Sequence, residues 1–126
     1  MYKRQAPGGV VEASDTNTLQ AFGNWDSDGL FIANGSLVTF NAVSAVTIAA
    51  GDSSFANVSV IGGGVHEFIE TATATNDFLI DEFANFELAT GTRLAVGGVF
   101  TNDVGGVNTN WNDAELYLYG LSLIHI

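Results

Sequence analysis

The sequence predicts an all-β fold made of many short strands, and three observations support this prediction. Apolar and polar residues alternate over short runs such as Leu37–Asn41 (LVTFN), where Val38 and Phe40 share one face. Turn residues such as Asn34-Gly35 and Gly62–Gly64 separate these runs. No long stretch has apolar residues at helical spacing with caps at both ends.

The predicted strands recur at intervals of roughly 8–12 residues, a spacing typical of a sandwich, a barrel or a solenoid. They are Leu37–Asn41, Ala45–Ala49, Ala56–Ile61, Val65–Glu70, Phe78–Asp81, Asn85–Ala89, Arg93–Val96 and Glu115–Tyr119. The segment Asn76–Leu88 is also the best helix candidate, because Leu79, Phe83 and Phe86 would form one stripe. Further apolar residues widen that stripe beyond a clean face, so we interpret the segment as two strands.

A similarity between two segments of the sequence favours a repeat architecture. Residues 23–42 (GNWDSDGLFIANGSLVTFNA) and 97–120 (GGVFTNDVGGVNTNWNDAELYLYG) both run from a turn rich in Gly, Trp, Asp and Asn into an alternating strand. We interpret their separation as one long repeat built of several smaller coils. In such a protein a single coil cannot bury its apolar face, so neighbouring coils supply the core.

The run SLVTFNAVSAVTIAAGDSSFANVSVIGGG, followed by FELATGTRLAVGGVFTND, resembles the repeats of large bacterial and archaeal surface proteins. The family that these motifs resemble is the parallel β-helix group of adhesin-like and autotransporter-passenger-like proteins. The resemblance covers most of residues 23–120. It implies a right-handed parallel β-helix (β-solenoid) fragment, with an antiparallel β-sandwich as the alternative.

The sequences of the two chain ends indicate that these end residues are not part of the native protein. Residues 1–5 (MYKRQ) and 121–125 (LSLIH) can be encoded by one DNA element in opposite orientations, and Ile126 continues the second copy. That element resembles the mosaic end of transposon-based sequencing libraries. We therefore expect residues 1–5 and 121–126 to be adapter-derived and 6–120 to be one solenoid segment of a larger protein. On this interpretation LSLIHI is neither a strand nor a membrane anchor.

Charge and composition limit the possible partners. Residues 6–120 hold all 14 acidic residues of the chain and only one basic side chain, Arg93. Nucleic acid and anionic membranes are poor partners for such a surface, because phosphate contacts need Lys and Arg. The chain has no cysteine, and its 47% apolar content argues against disorder. The expected partners are neighbouring repeats of the same chain and a surface polysaccharide, with no nucleic acid and no membrane insertion.

One segment has the residue pattern of a calcium loop. Asn24, Asp26 and Asp28 place oxygen atoms at alternate positions, and Gly29 occupies the sixth position. The twelfth position is Gly35 instead of the usual bidentate Glu, so an Asx-rich turn is the simpler interpretation. Calcium is the only cofactor that the sequence suggests.

Four aromatic residues could form a sugar-stacking strip if they were exposed on one face: Trp25, Trp111, Tyr117 and Tyr119. The alternative is that they fill the core or the corners of the fold.

We predict no catalytic residues. Asp81 and Glu82 would point to opposite faces of a strand, and VHEFIE lacks the second histidine of a zinc-protease motif. We therefore expect a structural or adhesive module of a secreted or cell-surface protein that is not an enzyme. The alternatives are a carbohydrate-binding or polysaccharide-processing β-helix and a calcium-stabilised extracellular β-sandwich.

Overall fold

In a computed structural model the chain is a parallel β-solenoid of about five turns. The structure describes residues 9–104 and 109–119 in full, together with the backbone of Lys3–Gln5 and Leu123–His125. The antiparallel sandwich alternative is wrong, because every strand pair among these residues is parallel.

Three faces run along the solenoid, and successive strands pass from one face to the next. Face 1 contains β1 (Lys3–Gln5), β4 (Trp25–Ser27), β7 (Val46–Ala49), β9 (Val65–Phe68), β12 (Asn85–Leu88) and β15 (Thr109–Asn110). Face 2 contains β2 (Val10–Glu12), β5 (Leu30–Ile32), β10 (Ala72–Ala74), β13 (Arg93–Val96) and β16 (Glu115–Leu118). Face 3 contains β3 (Thr18–Ala21), β6 (Leu37–Phe40), β8 (Asn57–Val60), β11 (Phe78–Ile80), β14 (Val99–Asn102) and β17 (Leu123–His125).

Face 2 is interrupted in the third turn, which begins with β7. No strand forms on that face between β5 and β10, where Gly51 and Asp52 make a tight turn instead. The Ser53 hydroxyl replaces a strand partner by accepting a hydrogen bond from the Phe31 N–H at 2.9 Å. Phe55 then pairs with Ala74 in an isolated parallel bridge. Two sheets therefore run unbroken along the rod, whereas the third is in two pieces.

The core is a column of aromatic rings along the solenoid axis. It runs from Trp25 to Trp111, and neighbouring ring centroids lie 5.3–6.1 Å apart, mostly edge to face or tilted. The other members are Phe31, Phe40, Phe55, Phe68, Phe78, Phe86 and Phe100. Such offset pairs stabilise beyond the area that they bury, and each turn shares its rings with the next.

Side chains at the corner between faces 2 and 3 form a ladder along the rod. Asp15 Oδ1 accepts from the Gly35 N–H, and Asn57 Nδ2 donates to the Gly35 carbonyl. Asn57 Oδ1 accepts from the Asp77 N–H, and Asp77 Oδ1 accepts from the Val99 N–H. These four bonds, 2.9–3.3 Å long, join five successive turns. In each of them a side chain at this corner is the hydrogen-bond partner of a backbone N–H or carbonyl group.

The structure places the two similar segments, residues 23–42 and 97–120, at different positions of the solenoid turn. The strand of the first half lies in β6 on face 3, and the strand of the second half lies in β16 on face 2. The structural repeat is instead the single turn, whose register partners are 19–24 residues apart, from Thr18–Leu37 to Phe100–Ile124. The prediction of one long repeat was therefore wrong, because similar turn residues occur at more than one corner.

The prediction of two strands in Asn76–Leu88 is confirmed, since β11 and β12 lie there on different faces. The prediction that LSLIHI forms no strand is wrong, because Leu123–His125 pairs with β14 as β17. An open sheet edge accepts any short segment of suitable residues, whatever its origin. The adapter origin of the two ends stays a prediction.

Ser36 is expected to weaken the fold. Its side chain is fully buried, and its hydroxyl oxygen has no hydrogen-bond partner among the described residues. Ala56 lies at the matching position of the next turn, because Leu37 pairs with Asn57. We expect Ser36→Ala to raise the free energy of unfolding by about 1 kcal/mol. Denaturant unfolding tests this, with half-exposed Ser59→Ala as the control; a lower stability in Ser36→Ala would contradict it.

Candidate functional sites

The predicted aromatic strip is divided by the structure between the core and face 2. Trp25 is only 1% exposed and contacts Phe31, Phe40 and Phe55, so it cannot stack on a sugar. Trp111 is half-buried and packs against the last rings of the core column. Both tryptophans therefore belong to the core column, since large apolar side chains fill the axis of a narrow solenoid.

Tyr117 and Tyr119 lie together on the outer side of face 2. Their rings stack at a centroid distance of 5.9 Å with an interplanar angle of 22°, and Tyr117 is 48% exposed. The Tyr119 ring covers Gly97, where a Cβ atom would lie 3.0 Å from the ring. The absence of a side chain at Gly97 therefore lets this ring lie against the sheet.

Arg93 completes this tyrosine patch, defined as Arg93, Glu115, Tyr117 and Tyr119. Its guanidinium lies 5.1 Å from the Tyr117 ring centroid and forms an ion pair with Glu115. Both charged side chains are at least half exposed, so the pair contributes little to stability. Its main effect is to hold the guanidinium in a cation–π contact with the tyrosine ring.

Of the three predicted calcium residues only Asp26 lies in a strand, whereas Asn24 precedes β4 and Asp28 lies in the bend that follows it. Trp25–Ser27 is β4, with Trp25 and Ser27 buried and Asp26 on the outer side. Asn24 Oδ1 accepts a hydrogen bond from the Thr47 N–H at 3.0 Å.

In the described part of the chain, no group of three or more His, Cys, Asp and Glu side chains could hold a metal ion. The calcium hypothesis stays a prediction, and a calcium titration of the melting temperature tests it. A rise in melting temperature that Asp26→Asn abolishes would support binding at this strand.

A shallow groove of about 560 Å³ lies on the outer side of face 3. Small side chains such as Ser59 form its floor, between the larger Leu37, Leu79 and Val99. Asp77 is the only acidic residue among those lining it, and its Oδ1 accepts the Val99 N–H. The sequence did not indicate this groove, because it depends on which side chains of successive turns stand side by side.

His66 is the buried polar residue with the most unusual contacts. It is fully buried on the inner side of β9, and its Nε2 accepts a hydrogen bond from the Ala42 N–H at 3.1 Å. Its Nδ1 lies 3.3 Å from the Asn85 carbonyl oxygen and must therefore carry the proton. The ring thus links the turn below it to the turn above. In the motif VHEFIE, His66 and Phe68 lie in the core and the imidazole is turned away from solvent.

Comparison with protein-family models, curated proteins and solved structures finds no match to this chain. Among the described residues, no helix has the length and apolar character needed to cross a membrane.

Proposed function

We propose that this chain is a structural segment of a long exported rod that carries a binding region elsewhere. The aromatic column supports this proposal, because its rings continue from turn to turn and link the turns into one core. A rod of this kind lengthens by adding turns, each of which depends on its neighbours for stability. The adhesin-like resemblance in residues 23–120 points to the surface of a microbial cell.

A long sequencing read across the parent gene tests the proposal. We expect the reading frame to continue past residues 6 and 120 into further turns of about 19–24 residues and into an export signal. Antibody against the chain should then label intact source cells. A native gene that begins with MYKRQ and ends with LSLIHI, or labelling only after the cells are permeabilised, would contradict it.

Carbohydrate binding is the second candidate, and the tyrosine patch favours it. Exposed aromatic rings beside a guanidinium can bind the apolar and hydroxyl-bearing sides of a sugar together. Pull-down on insoluble cellulose and chitin tests this in the original chain, in Tyr117→Ala and in Phe83→Ala, a control that removes an aromatic ring 74% exposed elsewhere. Binding lost only in Tyr117→Ala would support the candidate, and equal retention by all three proteins would exclude it for these polymers.

A further inference from the structure

The corner between faces 3 and 1 is tightly packed beside His66. A Cβ atom at Gly62 would lie 2.6 Å from the Ala42 nitrogen, and one at Gly64 equally close to the Ser44 nitrogen. The Gly64 N–H donates to the Ala42 carbonyl at 3.0 Å, while the Ala42 N–H donates to His66. The backbones of two turns are therefore in direct contact, with the imidazole filling the space inside them.

We propose that His66 makes this corner a proton-sensitive joint, which is closed at neutral pH and opens when the imidazole is protonated. The geometry requires a neutral ring, because Nε2 must accept from Ala42 while Nδ1 donates to Asn85. A second proton would place the Nε2 N–H against the Ala42 N–H and break the hydrogen bond that joins them.

Among the residues that the structure describes, no Asp, Glu, Lys or Arg side chain is buried inside the rod, where it could stabilise the protonated ring. The strands beside β9 place Val46 and Phe86 next to His66. Glu67 and Glu87 alternate to the outer side of face 1. Asp81 and Glu82 lie in the turn above, where the Asp81 carboxylate accepts the Glu82 N–H.

Burial lowers the pKa of His66 below its usual value of 6.5, although hydrogen bonds with the Asn85 and Gly64 backbones partly oppose this effect. The open form therefore takes up a proton more readily than the closed form. The stability that the joint contributes is fully present above about pH 6.5 and is lost as the pH falls below it. The opening equilibrium therefore rises as the pH falls from 7.5 to 5, and about 30-fold is the upper limit, reached only if the closed form takes up no proton.

Hydrogen exchange tests the proposal through protection factors, which correct for the intrinsic pH dependence of exchange. We expect the amides of Ala42 and Gly64 to lose protection between pH 7.5 and pH 5, by at most about 30-fold. Strand β13, on another face and one turn away, should lose far less. His66→Gln should remove the difference between the two regions, whereas His125→Gln should retain it. Unchanged protection at Ala42 and Gly64, or the same pH dependence in His66→Gln, would overturn the proposal.

If His66→Gln does not fold, the titration of the His66 ring protons by NMR replaces it. A midpoint below 6.5 that coincides with loss of protection at Ala42 would support the joint. A midpoint at or above 6.5, or one reached with the corner still protected, would overturn it.

Discussion

Gly64→Ala is expected to destabilise the solenoid by about 3 kcal/mol or more. The added Cβ would lie 2.6 Å from the Ser44 nitrogen and closer still to the Ser44 carbonyl oxygen. These are backbone atoms of the turn below, and they cannot move aside without breaking the hydrogen bond from Gly64 to Ala42. Urea unfolding followed by circular dichroism measures the loss.

The same glycine triplet supplies the control. A Cβ atom at Gly63 would meet no atom closer than the Phe83 carbonyl oxygen at 3.8 Å. Gly63→Ala should therefore change stability by only about 0.5 kcal/mol, and the lower entropy of its unfolded chain acts in favour of the fold. Equal losses in the two variants would mean that the backbone contact at Gly64 does not limit the packing of these turns.

Phe68→Ala is expected to cost about 3–5 kcal/mol. Phe68 is fully buried in the middle of the aromatic column and contacts Phe40, Phe78 and Phe86 at centroid distances of 5.4–5.8 Å. Removal of the ring would leave a cavity where the rings of successive turns meet. The unfolding of one half of the rod should then depend less on the unfolding of the other half.

Unfolding experiments on single-tryptophan variants can separate these two effects of Phe68→Ala. Trp25 and Trp111 lie at opposite ends of the column, and their fluorescence reports the two halves of the rod. We expect one shared transition with Phe68 present and two separate transitions in its absence. Phe83→Ala, at a residue 74% exposed, should keep the shared transition. A single transition in Phe68→Ala would contradict the proposed coupling.

The eight strands predicted from sequence are all present, because they follow a local alternating pattern, whereas the other nine that the structure describes, β1–β5, β10, β14, β15 and β17, were not predicted. Alternation located the strand of LVTFN, and the glycines and asparagines located the corners. The strand Trp25–Ser27 was missed because WDSDG contains the residues of a turn. Its burial depends on the stacking partners of Trp25 in other turns, which no local window contains.

The contacts between turns were not predictable from one sequence. The roles of Asn57 and Asp77 in the corner ladder depend on the register between turns, and the loops at the corners vary this register by several residues. His66 was interpreted from its neighbour Glu67, whereas its environment comes from Ala42 and Asn85 in the adjacent turns. The tyrosine patch was half predicted, since Tyr117 and Tyr119 alternate on one strand but Arg93 joins them across the sheet.

The interrupted face 2 has a consequence for the mechanics of the rod. Hydrogen bonds between turns lie along the axis, so tension on the two ends pulls directly on every bond that joins one turn to the next. The second and third turns are joined by the pairing of β4 with β7 and of β6 with β8, and on face 2 the Phe31 N–H donates to the Ser53 hydroxyl where no strand pairing is present. Among the described turns, this junction has the fewest paired residues. Under load the rod should therefore yield there first, releasing its two ends as separate blocks.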